Sequence, residues 1–150
     1  MMTTHKKFKD FFMTKRLFAI LLLFLFTHVA VADEGDILKE VERSARSWLE
    51  FVDRGQYQES WESSSQLLRA KTPEAAWIKS MTTIRSSRGA IDTRFIATAG
   101  ATKSLSGFPN GDYVVLQFYT TLAGKGLILE TVTLAKAQDE TWRVCEYAIK

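Results

Sequence analysis

Residues 111–150 read GDYVVLQFYTTLAGKGLILETVTLAKAQDETWRVCEYAIK, and in three parts of this segment apolar residues recur at every second position. In the first part, 113–121, Val114, Leu116 and Phe118 share one parity, which is the pattern of a half-buried strand. A turn that contains two glycines follows directly. The segment therefore predicts a sheet built from consecutive antiparallel strands.

The next two strands each carry a glutamate on their more apolar parity. Glu130 shares its parity with Val132 in the run 127–136, and Glu146 shares its parity with Val144 in the final run. Successive side chains of a strand point to opposite faces of the sheet. We therefore predict that both carboxyl groups face the apolar side.

The segment before the sheet has the three- and four-residue apolar spacing of amphipathic helices. We predict a first helix over 36–52, a weaker second helix over 57–68 and a third helix over 72–88. The three serines at 63–65 would lie on the polar side of the second helix. Thr72 would cap the third helix.

Two further runs complete the predicted sheet. The small-residue run 93–102 would form the first, outer strand, with Gly100 suited to a bulge, and the run 141–150 would form the last strand. Helices followed by strands indicate the α+β class, with three helices on one face of a curved, cone-like, four-stranded antiparallel sheet.

The amino terminus has the pattern of a signal peptide. Lys15 and Arg16 precede an unbroken apolar run, 17–26, and small residues ending at Ala32 form a cleavage site before Asp33. The apolar run is shorter than the roughly 20 residues that a membrane helix needs. We therefore predict export to the periplasm or the medium, with membrane contact only during export; an uncleaved anchor is the alternative.

Removal of the leader changes the charge of the protein. The whole chain of 150 residues has a formal charge of +3, but five bases and one acid give residues 1–32 a charge of +4, which leaves −1 on residues 33–150. That single domain lacks the basic surface of a nucleic-acid-binding protein. Met13 directly precedes the basic pair, and translation starting there is an alternative to the first methionine.

Basic residues are concentrated in one part of the domain. Residues 69–94 contain six bases and two acids. Lys79, Arg85 and Arg88 in this segment would suit an anionic partner, although charged helix faces usually serve solubility alone.

The residue types restrict the chemistry of the domain. Both histidines, His5 and His28, lie in the predicted leader, and Cys145 is the only cysteine. Histidine-based triads, histidine zinc sites and dithiol chemistry are therefore excluded from residues 33–150, and we expect no metal and no cofactor. We interpret Cys145 as a packed thiol rather than a reactive one.

Carboxylate and arginine chemistry remains available. Glu130 on an apolar face would have a raised pKa, which would suit proton transfer. Arg94, at the start of the first strand, could instead pair with Glu130 or Glu146. We favour such a structural ion pair over an active site.

Several aromatic and charged residues are candidates for a ligand pocket, because such pockets are mostly apolar with a few polar groups. The aromatic members would otherwise form the core, which is the commoner role of such residues in a small domain. The candidates are Trp48, Tyr57, Trp61, Trp77, Arg94, Glu130, Trp142 and Glu146.

Two family resemblances rest on these residues. The helix-then-sheet order, with the motifs at 52–57, 60–61 and 142–150, resembles the cone-shaped superfamily typified by nuclear transport factor two. More narrowly, the domain resembles an uncharacterised exported bacterial family, domain of unknown function forty-nineteen, at Trp48, Trp61, Trp77, Arg94, 109–113 and 130–131. The resemblance implies an α+β cone over residues 36–150. The superfamily includes isomerases, dehydratases, ligand-binding and scaffolding members, so the resemblance assigns no catalytic residue.

We predict an exported, non-enzymatic module that binds a small apolar ligand or a protein partner. It would form a homodimer through the open sheet face, where Tyr113, Tyr119, Tyr147 and Ile149 would otherwise be exposed. The alternative is an enzyme of lyase or isomerase type that uses Glu130 as a base inside the cone.

Overall fold

The computed structural model describes residues 34–150. The predicted signal peptide, its cleavage site at Ala32 and Asp33, and the alternative start at Met13 lie outside the described residues. None of the helices between residues 34 and 150 is long and apolar enough to cross a membrane. The helices are α1 (Glu34–Asp53), α2 (Tyr57–Glu62), α3 (Gln66–Lys71) and α4 (Glu74–Ser86). The strands are β1 (Ile91–Thr102), β2 (Tyr113–Leu122), β3 (Gly126–Lys136) and β4 (Trp142–Ile149).

The four strands form one antiparallel sheet in the order β1-β2-β3-β4. Helices precede this curved, open sheet, which confirms the α+β prediction. Gly124 and Gly126 have φ angles of 72° and 86° in the turn between β2 and β3, a conformation that glycine adopts without steric cost. Leu116 and Phe118 are fully buried, so the parity predicted for β2 is correct.

The main core lies between the helices and one face of the sheet, which we call the inner face. Along α1 the buried residues recur every three or four positions, as the sequence predicts for an amphipathic helix. They pack with inner-face residues of β2, β3 and β4. The buried residues of α1 are Val41, Ala45, Trp48, Leu49 and Val52.

A smaller cluster forms on the opposite, outer face. Tyr113, Ala135 and Cys145 are buried there and pack against the partly buried Leu67 of α3 and Leu105 and Phe108 of the connection from β1 to β2. Burial raises the pKa of the Cys145 thiol to about 12. The interpretation of Cys145 as a packed thiol is confirmed.

The predicted second helix is two short helices, α2 and α3, and the serines between them are not a polar outer face. Ser64 is fully buried and Ser65 nearly so. The Oγ atom of Ser65 accepts a hydrogen bond from the backbone N–H of Leu68 at 3.3 Å, which caps α3. The backbone N–H of Ser65 donates to the carbonyl of Val144 at 2.8 Å. The serines therefore break the helix and connect it to β4.

The cap predicted at Thr72 is also wrong. Pro73 occupies the N-cap position of α4 without a side-chain cap, and Thr72 ends α3. The carbonyl of Thr72 accepts a hydrogen bond from Trp61 Nε1 at 2.8 Å. The connection is thus held by the Trp61 indole rather than by a capping hydroxyl.

A bulge in β4 overturns the prediction for Glu146. Leu134 pairs with Val144, but Thr133 pairs with Glu146, so Cys145 is an extra residue in β4. One extra residue moves every later side chain to the other face. Glu146 is therefore exposed instead of facing the core.

The bulge also changes the predicted dimer face. Tyr147 and Ile149 pair with inner-face residues of β3, so they face the core. Tyr113 is buried in the small outer cluster. Of the four residues predicted on the open face, only Tyr119 is exposed, at 51%.

The bulge predicted at Gly100 lies elsewhere in β1. Gly100 pairs regularly with Val115, whereas the register shifts between Ile96 and Thr98, where Ala97 is the extra residue. Ala97 is not among the residues with positive φ. The bulge therefore has no need of a glycine.

Candidate functional site

A buried polar cluster occupies one end of the inner face, where the sheet meets the ends of α1 and α4. It contrasts with the apolar packing of the rest of that face. We call it the Glu130 cluster; its members are Asp53, Arg85, Arg94, Thr120, Glu130 and Tyr147.

Glu130 is the centre of the cluster and is 0% exposed. Its Oε2 atom accepts hydrogen bonds from Arg94 Nε at 2.7 Å and from Thr120 Oγ1 at 2.5 Å. Its Oε1 atom accepts a hydrogen bond from Tyr147 OH at 2.5 Å. Both carboxylate oxygens therefore have donors. Of the two carboxylates predicted as partners of Arg94, the structure pairs it with Glu130 and not with Glu146.

These donors set the pKa of Glu130. Burial alone would raise it, but the hydrogen bond and positive charge of Arg94, together with the hydrogen bonds of Thr120 and Tyr147, lower it below its ordinary value. The expectation of a raised pKa is therefore wrong, because the site surrounds the carboxylate with donors rather than with apolar groups alone. Burial and the Glu130 charge raise the pKa of Tyr147, so its phenol keeps its proton.

Asp53 links this cluster to the end of α1. Arg94 donates to both Asp53 oxygens, from Nη1 at 2.8 Å and from Nη2 at 3.1 Å. Arg85 Nη2 donates to Asp53 Oδ1 at 3.0 Å, and Arg85 Nη1 lies 3.6 Å from Glu130 Oε1. Two arginines thus alternate with two carboxylates across α1, α4, β1 and β3.

A cleft of about 610 Å³ lies beside the cluster. The turn after α1 and the connection from α4 to β1 form its walls. Asp53 and Arg85 belong to both the cluster and the cleft wall, whereas Tyr57, Arg88 and Ala90 line only the cleft. The buried network therefore holds two polar side chains in place at a surface that a small molecule could reach.

Comparison with known proteins identifies the family. The model for a family described as "Protein of unknown function (DUF4019)" matches residues 44–147. The chain belongs to this family. All six members of the Glu130 cluster fall within the matched range. No curated protein matches the chain.

Most aromatic candidates are structural in this DUF4019 domain. Trp48 and Trp77 are buried in the main core, and their indole N–H groups donate to buried serines. Trp142 is also buried in the core, and Trp61 packs against it. Tyr57 is the one predicted aromatic candidate that lines the cleft.

Four of the six residues of the Glu130 cluster are not among the pocket candidates of the sequence analysis. Asp53, Arg85, Thr120 and Tyr147 come from four different elements. For Arg85 the sequence predicts only an anionic partner shared with Lys79 and Arg88, and nothing in the spacing of Arg85 indicates a buried carboxylate. The sequence Asp53-Arg54-Gly55 is typical of the end of a helix. At that end the Asp53 carboxylate lies in the cluster.

The described part of the DUF4019 domain, residues 34–150, contains no group of three or more histidine, cysteine, aspartate or glutamate side chains that could hold a metal ion. The arrangement of the Glu130 cluster is instead that of charge-assisted hydrogen bonds, which orient groups firmly.

Proposed function

We propose that this DUF4019 domain is a non-catalytic module that binds a small ligand in the cleft beside the Glu130 cluster. The observation that carries the proposal is that Asp53 and Arg85 belong at once to the cleft wall and to the ion-pair network around the buried Glu130. The network orders these side chains before any ligand arrives. Such pre-organisation lowers the entropic cost of binding.

The state of Glu130 favours binding over catalysis. A general base needs access to the proton that it removes and a pKa near the working pH. Glu130 is fully buried, its oxygens accept hydrogen bonds from three side chains, and its pKa is lowered. The lyase or isomerase alternative would require these donors to be displaced first.

The cleft also has the size of a small-molecule site. Such sites usually measure about 300–1,000 Å³, and this cleft measures about 610 Å³. Its lining includes Tyr57 and Ala90 beside the charged residues. A ligand with an apolar part and a polar part suits this mixture.

The proposal is tested by a substitution that fills the cleft without changing its charge. Ala90→Trp would place an indole in the cleft, and Ala76→Trp would place the same group on an exposed position of α4 outside it. The full chain is incubated with the small-molecule filtrate of its own cells and examined by native mass spectrometry. We expect a bound compound in the parent chain and in Ala76→Trp, and its loss in Ala90→Trp. Equal retention by both variants, or no bound compound in the parent chain, would overturn the proposal.

We also propose that the domain is exported and belongs to the superfamily typified by nuclear transport factor two. The pattern of residues 1–32 supports export. The order of helices followed by a curved antiparallel sheet supports the superfamily. Amino-terminal sequencing of protein from an exported fraction tests the first part, because a start at Asp33 is expected.

A second candidate function is self-association through the outer face of the sheet. Phe95, Tyr119 and Leu127 are 64%, 51% and 60% exposed. Phe95 pairs with Tyr119 across β1 and β2, so the two rings are neighbours on the outer face. A second copy of the chain would cover them in a homodimer. Sedimentation velocity should show a dimer that Phe95→Lys converts to a monomer, and a monomeric parent chain would exclude this candidate.

A further inference from the structure

We infer that the ligand of the cleft is a small anion, bound through a carboxylate or phosphate group by Arg85 and Arg88. This inference rests on the proposed function, because it names the ligand class of the same cleft. It is carried by the charge of the lining, by the incomplete hydrogen bonding of Arg85 and by the unpaired charge of Arg88.

The lining of the cleft is positively charged. Arg54, Arg85 and Arg88 line it, and Asp53 is its only acidic residue. The Asp53 carboxylate already accepts hydrogen bonds from Arg94 and Arg85. Arg54 forms an ion pair with Glu50 at 3.4 Å, and Arg85 and Arg94 are balanced by Asp53 and Glu130, so the positive charge that remains at the cleft is that of Arg88.

Arg85 and Arg94 differ in how fully they are bonded. Arg94 uses Nε, Nη1 and Nη2 in hydrogen bonds to Glu130 and Asp53. The Arg85 side chain is only 8% exposed, yet its buried Nη1 atom has no hydrogen-bond partner within the described chain. The nearby Glu130 oxygen, at 3.6 Å, is too far for a hydrogen bond and is already bonded to Tyr147.

An unpaired donor on a buried guanidinium is unfavourable, because the group has lost its water without gaining a partner. A ligand oxygen at the cleft side of Arg85 would relieve this, either by direct contact or by drawing the guanidinium slightly away from Glu130. While Arg85 moves, Arg94 would hold Glu130 and Asp53 in place. Arg85 is therefore the member of the cluster that can respond to an anion.

Arg88 supplies a second guanidinium. Its Nη1 atom donates to the carbonyl of Ile84 at 2.7 Å, which restrains the side chain at the end of α4. It forms no ion pair with any carboxylate in residues 34–150. Guanidinium groups match the planar fork of carboxylate and phosphate oxygens. Two of them in one cleft indicate an oxyanion rather than a cation or a purely apolar molecule.

The bases of residues 69–94 predict an anionic partner. This geometry limits the predicted contacts to Arg85 and Arg88. Lys79 lies on α4 with Arg85, and Arg88 follows the end of that helix, but Lys79 does not line the cleft. Lys79 thus provides a matched control, because its substitution removes one positive charge from α4 without touching the proposed site.

The experiment titrates the full chain with inorganic phosphate and, separately, with succinate, at constant ionic strength maintained with sodium chloride. Binding is followed by the amide NMR signals of Gly55 and Gly89, which line the cleft. We expect saturable shifts with one of the two anions, which also distinguishes a phosphate from a carboxylate ligand. Arg88→Ala should weaken that binding at least about tenfold, whereas Lys79→Ala should leave it unchanged.

Three outcomes would overturn the inference: no saturable shift with either anion, equal weakening by Arg88→Ala and Lys79→Ala, or an unchanged affinity in Arg88→Ala. The cell-filtrate experiment tests the proposed function independently of this anion titration. If Ala90→Trp abolishes ligand retention but Arg88→Ala does not, the cleft binds a ligand that is not an anion. If Ala90→Trp retains the ligand, the cleft itself is the wrong site.

Discussion

The two ends of the inner face of the sheet both bury side chains but are built from different interactions. At one end Leu116, Val132 and Leu134 pack against the helices, and at the other end Glu130 and Arg94 form an ion pair. Burial of a leucine or valine side chain stabilises a fold by about 1.5–3 kcal/mol. A buried ion pair contributes little net stability, because the desolvation of two charges offsets their attraction. The apolar end therefore holds the domain together, whereas the polar end positions Asp53 and Arg85 at the cleft.

The largest effect should come from removing the carboxylate at the polar end. Glu130→Ala leaves Arg94 buried without its partner and removes the acceptor of Tyr147 and Thr120. Breaking such a pair costs about 3–5 kcal/mol. Urea denaturation would measure this loss, with Glu130→Gln as the variant that keeps the shape but not the charge. A decrease in the free energy of unfolding below about 1 kcal/mol would mean that Glu130 is not hydrogen-bonded as described.

A somewhat smaller loss is expected at the apolar end. Leu134→Ala removes a fully buried side chain and leaves a cavity, which costs about 3 kcal/mol. Because no charge is involved, the loss should be the same in low and high salt. A strong salt dependence for Leu134→Ala would contradict the division of the inner face into two kinds of packing.

Ser60 tests a neutral polar contact within the helical layer. Its Oγ atom accepts a hydrogen bond from Trp77 Nε1 at 2.9 Å and donates to the Tyr57 carbonyl at 2.7 Å. Ser60→Ala leaves a buried indole N–H unpaired, at a cost of about 1–3 kcal/mol. Ser63→Ala, at an exposed serine three residues later, is the control and should change the free energy of unfolding by less than about 0.5 kcal/mol.

The pH dependence should distinguish the two ends further. The pKa of Glu130 is lowered in the folded domain relative to its ordinary value of 4.5. A carboxylate whose pKa is lower when folded stabilises the fold above its unfolded pKa, and that contribution is lost as the pH falls through the folded value. Unfolding of the parent chain should therefore lose more stability between pH 6 and pH 3 than Glu130→Gln does. Equal losses would show that folding does not lower the pKa of Glu130.

The smallest effect is expected at the other glutamate. Glu146 is exposed beyond the bulge in β4. Glu146→Gln should change the free energy of unfolding by less than about 0.5 kcal/mol. If it destabilised the domain as much as Glu130→Gln, the bulge at Cys145 would be in the wrong place.

Comparison of these two glutamates shows where sequence patterns succeed and where they stop. The period-two pattern located all four strands within a few residues and placed Glu130 correctly on the inner face. The same argument failed for Glu146, because Cys145 is an extra residue and reverses the parity after it. Nothing in the local composition marks that insertion.

The serines provide a second case. Three consecutive serines are typical of a solvated helix face, yet Ser64 accepts a hydrogen bond from the buried Trp48 indole at 2.9 Å. A small hydroxyl can be buried when a tryptophan supplies its partner. That partner lies on another helix, so the serine run could not indicate it.

The sequence by itself determined the class of fold, the family and the four strands, because these depend on residue spacing and on the residue types of each segment. Only the tertiary structure decided which carboxylate is buried and how the cluster closes. Asp53 and Arg94 are 41 residues apart, and Arg94 and Glu130 are 36 apart. Such contacts form where helix ends and strand ends meet in three dimensions, and no periodicity along the chain encodes that meeting.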